Sequence, residues 1–266
     1  MINFAARVSS WLGEREPEWS PWPGTRFSVN LGDRIQRQMW CGCYEPHVTR
    51  CLRAILRKGD TFIDIGAHIG YHSFFAAKLV EPDGAVLAFE PDPCLYDRLM
   101  RNLKSFSHAQ AFQAAVWDRD AELTFERSSF AQESGWGTLA AVRDLGRGEH
   151  IAVRTVSLDR LVNDKNLKSI RAMKVDAEGA EVAILDGAWT TFHNFRPILL
   201  FEVNGILLQQ GGRTASDLLE RLAGWGYRLY AIGDNGLQRC ESVPNHEITD
   251  CLGLPEEQVE KVLASF

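Results

Sequence analysis

The sequence predicts one doubly wound α/β domain on a largely parallel sheet, and three observations carry that prediction. Short strand-like runs at 61–65, 85–89, 173–176 and 197–203 alternate with segments of helical period. Turn residues mark the switches between them, as at 66–70 and in Pro82-Asp83-Gly84. No linker-like stretch separates the units, so they read as one layered domain.

The elements follow in order. Residues 1–40 stand apart as an arm or cap on a domain spanning 41–266, and Trp11, Trp19 and Trp22 are expected to pack it down. Glu45-Pro46 opens a helix whose Val48, Cys51, Leu52, Ile55 and Leu56 recur at steps of three and four. Lys58-Gly59-Asp60 ends it before the strand 61–65, and a helix follows the turn at 66–70. After the strand 85–89, Asp92 caps a helix with Pro93 in its first turn. The next strand is expected at 111–116. Residues 118–156 alternate apolar positions (Leu123, Phe125; Ile151, Val153) around a Gly-rich centre, which predicts a hairpin-like excursion with a lid-like insertion at about 126–150. A strand at 173–176, a helix at 180–187 and an apolar strand at 197–203 come next. Thr214-x-x-Asp217 reads as a capping box. The last two strands are expected at 227–232 and 237–243.

Composition excludes several classes. The 266 residues can bury a substantial core. With 29 Lys+Arg against 35 Asp+Glu the net charge is −6, and no dense basic block is available to grip a phosphate backbone, so no nucleic-acid partner is expected. Cysteines at 41, 43, 51, 94, 240 and 251 form no Cys-x-x-Cys pair, which argues against a zinc ribbon and for a reduced compartment. The start lacks the apolar core of a signal peptide, and no run reaches the roughly 20 apolar residues of a spanning helix. A cytoplasmic protein is expected.

The chemistry concentrates at strand ends, where ligands of such folds bind. Asp64-Ile-Gly66-Ala-His68-Ile-Gly70 lies between strand and helix, and its glycines permit a tight turn and close approach of a ligand. A dinucleotide fingerprint starting at Gly66 would need glycine at 68 and 71, where His68 and Tyr71 stand, and there is no P-loop. Glu90 closes the second strand, placed to accept both hydroxyls of a ribose. A strand-end acid, a Gly-containing turn and a second strand-end acid together describe a pocket for S-adenosylmethionine.

DTFIDIGAHIGYHSFFAAKLV, GAVLAFEPDP, AAVWDRDAELTF, MKVDAEGAEVAIL and ILLFEVN together resemble the FkbM family of S-adenosylmethionine-dependent methyltransferases. The resemblance runs from Gly42-Cys43-Tyr44-Glu45-Pro46 to Gly226-Tyr227-Arg228, and Lys174, Asp176, Glu178, Gly179 and Glu181 carry its most discriminating motif. It implies a class I, Rossmann-like, mostly parallel seven-stranded sheet and O-methylation of sugars, glycolipids or natural products. It assigns Asp64, Gly66 and Gly70, with Ala67 and His68, to the donor's methionine side. Glu90 and Pro91 fall to the ribose, and Val116 and Trp117 to the adenine region. Asp176 borders both donor and acceptor.

A hydroxyl acceptor must be aligned and relieved of a proton. Asp176, Glu178, Glu202, Glu45 and Glu181 are the candidate carboxylates, with Lys174 neutralising the cluster. Asp176 or Glu178 is expected to act as base, or as ligand of an optional divalent cation. Glu181 reads as a helix N-terminal charge and Glu45 as a helix cap. His68 and His72 are four apart but lack a third metal ligand. The alternatives are N- or C-methylation on the same fold, or a non-catalytic cofactor-binding subunit. Acceptor specificity is expected in 1–45 and 125–150.

Overall fold

Buried apolar strands set the architecture of this computed structural model, which describes residues 16–21, 23–127, 134–139, 142, 148–233 and 236–266. A short hairpin, β1 (Glu18–Trp19) and β2 (Phe27–Ser28), leads into α1 (Arg34–Trp40) and α2 (Pro46–Ile55). Strand and helix then alternate through β3 (Thr61–Ile65), α3 (Tyr71–Val80), β4 (Ala85–Phe89), α4 (Pro93–Leu103) and β5 (Ala109–Phe112). The chain leaves the main sheet for β6 (Ala115–Trp117), β7 (Ala121–Glu126), β8 (Thr138–Leu139), β9 (His150–Ser157) and α5 (Leu158–Asp164). It returns through β10 (Ala172–Val175), α6 (Glu181–Asp186), α7 (Trp189–Phe195), β11 (Ile198–Asn204), α8 (Gly205–Gln210) and α9 (Ala215–Gly224). The last elements are β12 (Tyr227–Gly233), β13 (Gly236–Arg239), β14 (Ile248–Pro255) and α10 (Val259–Leu263).

Among the described residues the main sheet has eight strands in the order β13-β12-β14-β11-β10-β3-β4-β5. Neighbours from β11 to β5 are parallel, whereas β14 runs antiparallel to both β11 and β12, and β13 antiparallel to β12. The expected seven-stranded, mostly parallel sheet is therefore corrected to an eight-stranded mixed one. The last two strands expected, 227–232 and 237–243, form the β12–β13 hairpin, and the strand between β11 and β12 comes from 248–255. That segment escapes a period-two reading because Cys251, Leu252, Gly253, Leu254 and Pro255 are all buried, so no alternation shows.

The expected strand 111–116 also divides. A turn in which the Ala114 N–H donates to Phe112 O (3.0 Å) ends β5, and β6 joins a four-stranded sheet β6-β9-β7-β8. The antiparallel pairing of β7 with β9 is the hairpin-like excursion read from 118–156. Most of its centre lies outside the described residues.

Both faces of the main sheet are apolar, as parallel strands require. Ile63, Ile65, Met173 and Val175 pack with Leu158, Val182, Phe192 and Leu218 on one side. Phe62, Ala172 and Leu200 pack with Leu52, Phe74, Leu99 and Val262 on the other. Trp11 and Trp22 lie outside the described residues, as does the side chain of Trp19. The arm is anchored by buried Phe27, edge-on to Tyr71 and Phe74 at 6.0 and 5.1 Å. Buried Asn102 joins it to the turn after β3, accepting from Ser28 N–H (2.7 Å) and donating to Ile69 O (2.8 Å).

Gly66, just past β3, has φ +78°, and a Cβ there would lie 1.8 Å from Asp176 O. The ends of β3 and β10 thus approach too closely for any side chain. Gly59 has a similar φ of +85° with nothing within 4 Å of a Cβ. Alanine at either position carries the left-handed penalty of about 1–2 kcal/mol. Only at Gly66 does overpacking add about 1–3 kcal/mol. Gly66→Ala should therefore lower Tm clearly more than Gly59→Ala in thermal melts, at about 2–4 °C per kcal/mol. Equal shifts would show that the β3–β10 approach is not tight.

Candidate active site

The carboxyl ends of β3, β4, β10 and β11 surround a cavity of about 260 Å³, where open α/β sheets bind ligands. At the end of β3, Gly66 and His68 line it. His68 holds a left-handed backbone (φ +53°), donates its N–H to Glu90 Oε2 (2.9 Å) and brings Nε2 within 2.6 Å of Ser134 Oγ. Burial lowers its imidazole to about 4 against the pull of Asp33 and Asp176, so it is neutral at pH 7.

Glu90 and Pro91 follow β4 on the same wall. The Glu90 carboxyl is buried, with Oε1 accepting from Asp92 N–H and Oε2 from His68 N–H, both at 2.9 Å. Burial pushes it up to about 8, more than these hydrogen bonds lower it. Asp92 caps α4 and receives Arg127 Nε at 2.6 Å. Phe89, Ala115 and Val116 give this end an apolar lining.

The opposite wall is acidic. Asp176, Glu178 and Glu202 line it, joined by Glu45. Buried Lys174 donates to Asp176 Oδ2 at 2.7 Å. Burial opposes the lysine's charge, but Asp176, Glu45 and Asp64 outweigh it and hold the ammonium above its ordinary value. Burial, then Asp176, Glu178 and Asp250, push Glu202 up to about 10. Glu178 stands at φ +50°, and its carbonyl accepts from Thr138 Oγ1 at 3.0 Å.

The predicted residues therefore divide. Gly66, His68, Glu90, Pro91, Val116, Asp176, Glu178 and Glu202 share the cavity wall, whereas Asp64, Ala67, Gly70, Trp117, Lys174 and Glu181 do not. Asp64 is 1% exposed beneath the floor, directly across from Lys174 in the β3–β10 register. It accepts from Ser73 Oγ at 2.5 Å, and burial raises its carboxyl. A Cβ on Gly70 would meet Leu99 Cδ1 at 2.6 Å, so its glycine serves packing. Glu181 Oε1 accepts from the Ala177 and Gly179 N–H groups (3.1 and 3.3 Å), fixing the loop that carries Asp176 and Glu178.

Both segments expected to hold specificity contribute walls. Arg34, Ile35 and Gln38 come from α1, and Ser134, Gly135 and Thr138 from the excursion. Asp33 couples them, accepting from Gln36 N–H (2.9 Å) through one oxygen and from Ser134 N–H (2.8 Å) through the other. Asp33 carries no motif; its cap position before α1 was the one signal available. Among the described residues no group of three or more His, Cys, Asp or Glu is arranged to hold a metal ion, so the divalent-cation expectation has no donor set behind it. No helix among them is long and apolar enough to cross a membrane.

The Methyltransferase FkbM domain family matches residues 64–229. Methyltransferase 1 of Beauveria bassiana is 30% identical over 164 residues, covering 54% of this chain and 64% of that protein, less than two thirds of its length. The hexuronic acid methyltransferase AglP of Haloferax volcanii is 28% identical over 195 residues, covering 70% of this chain and 77% of that one. The 31-O-demethyl-FK506 methyltransferase FkbM of Streptomyces tacrolimicus is 27% identical over 188 residues, covering 60% and 70%.

The buried carboxyls give the protein a pH signature. Burial raises Glu90 to about 8 and Glu181 to about 7, from 4.5. A carboxyl raised on folding binds its proton more tightly in the native state, so its stabilisation is lost as pH rises through the folded value. Neutral His68 and His72 act in the opposite sense, but only below their ordinary 6.5. Between about pH 6.5 and 8.5 the Tm should therefore fall. Glu181→Gln, which keeps an oxygen for both N–H donors, should flatten the early part of that fall. A Tm that climbs across the window, or a slope Glu181→Gln leaves untouched, would contradict this assignment.

Proposed function

The chain belongs to the Methyltransferase FkbM domain family, and from that membership we propose that it uses S-adenosylmethionine to methylate a hydroxyl oxygen on a sugar or other small-molecule acceptor. The observation that carries the reading is one cavity with two unlike walls: a buried Glu90 beside apolar side chains, and an acid cluster opposite.

The residues fit this donor. Each Glu90 oxygen already accepts one N–H and keeps lone pairs for the paired hydroxyls of a ribose. Val116, Phe89 and Pro91 suit a nucleobase. Asp176 and Glu178, with Lys174 as their buried counter-charge and Glu202 as a further acceptor, leave a net negative wall for a sulfonium and an ammonium. When bound, S-adenosylmethionine supplies an electrophilic methyl on a sulfur that keeps the bonding pair as the methyl leaves.

The chain's own residues supply the rest. The walls align the acceptor oxygen, an effect worth about 7–11 kcal/mol in well-oriented reactions. A cavity carboxylate takes the hydroxyl proton, worth on the order of 10²–10⁴-fold. Lys174 holds Asp176 in place beside Glu178 and Glu202. The segment 134–139 acts as a lid, held by Ser134 on His68 and Asp33 and by Thr138 on the Glu178 carbonyl. The acceptors named for the Haloferax and Streptomyces relatives, a hexuronic acid and 31-O-demethyl-FK506, support an acceptor of this class.

Calorimetry with S-adenosylmethionine tests the donor site. Glu90→Ala leaves the ribose hydroxyls without their buried acceptor, a loss of about 1–3 kcal/mol, so affinity should weaken about tenfold. Labelled-methyl transfer to a glycoside panel tests the acceptor, and Asp176→Asn should lower kcat more than it weakens donor binding. Unchanged affinity in Glu90→Ala removes that residue from the site, and label recovered on nitrogen or carbon reassigns the reaction.

A further inference from the structure

Resting on that methyl-transfer reading, we infer that Glu45, steadied from behind by His72, is the carboxylate that takes the acceptor's hydroxyl proton. Glu45 lines the cavity at the N-cap position of α2, yet it does not behave as a cap. A capping residue keeps extended backbone and turns its side chain onto the first helical N–H groups. Glu45 has a left-handed backbone (φ +39°, ψ +58°) and makes no side-chain cap hydrogen bond. The chain thus accepts strain at a non-glycine residue and forgoes a cap, a pattern that gathers at functional sites.

The side chain is directed between the cavity and the interior. Its Oε2 is buried without a hydrogen-bond partner and lies 3.7 Å from His72 Nδ1, too far for a hydrogen bond in this state. Catalytic hydrogen bonds are often this long before substrate binds. His72 is itself 4% exposed, and its Nε2 also lacks a partner. Burial, aided by Lys174 and His47, holds His72 well below its ordinary value, so it is neutral. A neutral imidazole can orient the carboxylate without the full positive charge that would weaken it as a base.

Two of the other acids of the wall are committed elsewhere. Asp176 Oδ2 is taken by the Lys174 ammonium. Glu202, raised by burial and then by Asp176, Glu178 and Asp250, holds its proton at neutral pH. Glu45 is raised by burial, lowered by Lys174 and raised again by Asp176 and Asp250, with Tyr44 beside it; the balance is about 7. A base works best near the operating pH. In the step, the acceptor O–H bond breaks, its proton passes to Glu45, and the oxygen pair forms the new bond to the methyl carbon as the carbon–sulfur pair stays on sulfur.

The test compares wild type with Glu45→Gln, Glu45→Asp and His72→Asn by calorimetry with S-adenosylmethionine, by kcat against pH, and by infrared titration of carboxyl groups in ligand-free protein. Glu45→Gln should bind the donor within about threefold of wild type, which also shows that it folds, yet lose about 100-fold or more in kcat. Its acid limb near pH 7 should vanish, as should one infrared carboxyl titration near that pH. Glu45→Asp should be slow but keep the limb, and His72→Asn should move the limb without abolishing it. Normal donor binding with undiminished kcat, or a surviving acid limb, in Glu45→Gln overturns this inference alone. Failure of wild type to bind the donor overturns the donor assignment and this inference with it.

Discussion

One buried ammonium sets the terms for the active end of this protein. Lys174 sits in the middle of the sheet, opposite Asp64 on β3 and bonded to Asp176 at the end of its own strand. Burying a charge costs several kcal/mol unless it is paired, and here the pairing is one to many. Lys174 is the cation that Asp64, Asp176 and Glu45 share. It cannot neutralise all of them, and burial, the largest influence on Glu45, Asp64 and Glu202, raises their proton affinity. Burial and then the carboxylates around it raise Glu202 furthest, whereas the pull of Lys174 against burial leaves Glu45 near neutrality.

Backbone strain is distributed around the same centre. Glu45, His68 and Glu178 are non-glycine residues with positive φ, and all three line the cavity; Gly66 lines it as well. Each sits where a strand or helix ends and the chain must bend sharply to present a side chain inward. The surrounding core over-determines these bends. Asn102 ties the arm to the turn after β3, and Glu181 ties the loop after β10 to its own helix start. Residues that never touch the cavity thereby hold those that do.

Much of this was legible in the sequence, and the reasons for the rest are specific. Glu90, Asp176 and Glu178 follow apolar strands directly, so their place at the carboxyl edge could be read from the pattern. Asp64 looks the same in sequence, but which face a strand residue takes depends on partners the pattern does not name, and it lies under the floor against Ser73. A Glu before a Pro reads as a cap, because the left-handed backbone of Glu45 is set by tertiary packing. The sequence pattern suggests that glycines 66 and 70 leave room for a ligand; the neighbours they make room for are the Asp176 carbonyl and Leu99. The strand 248–255 was hidden because burial on both faces erases alternation.

That late strand bears on how the molecule is made. β14 lies between β11 and β12, both of which precede it in the chain. Until residues 248–255 have emerged from the ribosome, β11 presents an open edge of unpaired N–H and C=O groups, the kind of surface on which nascent chains associate wrongly. β11 carries Glu202, whose neighbour across the β11–β14 register is Asp250. The Glu202 part of the acidic wall is thus completed only when β14 is in place, after β3, β4 and β10 can already have formed the rest of the cavity's strand ends.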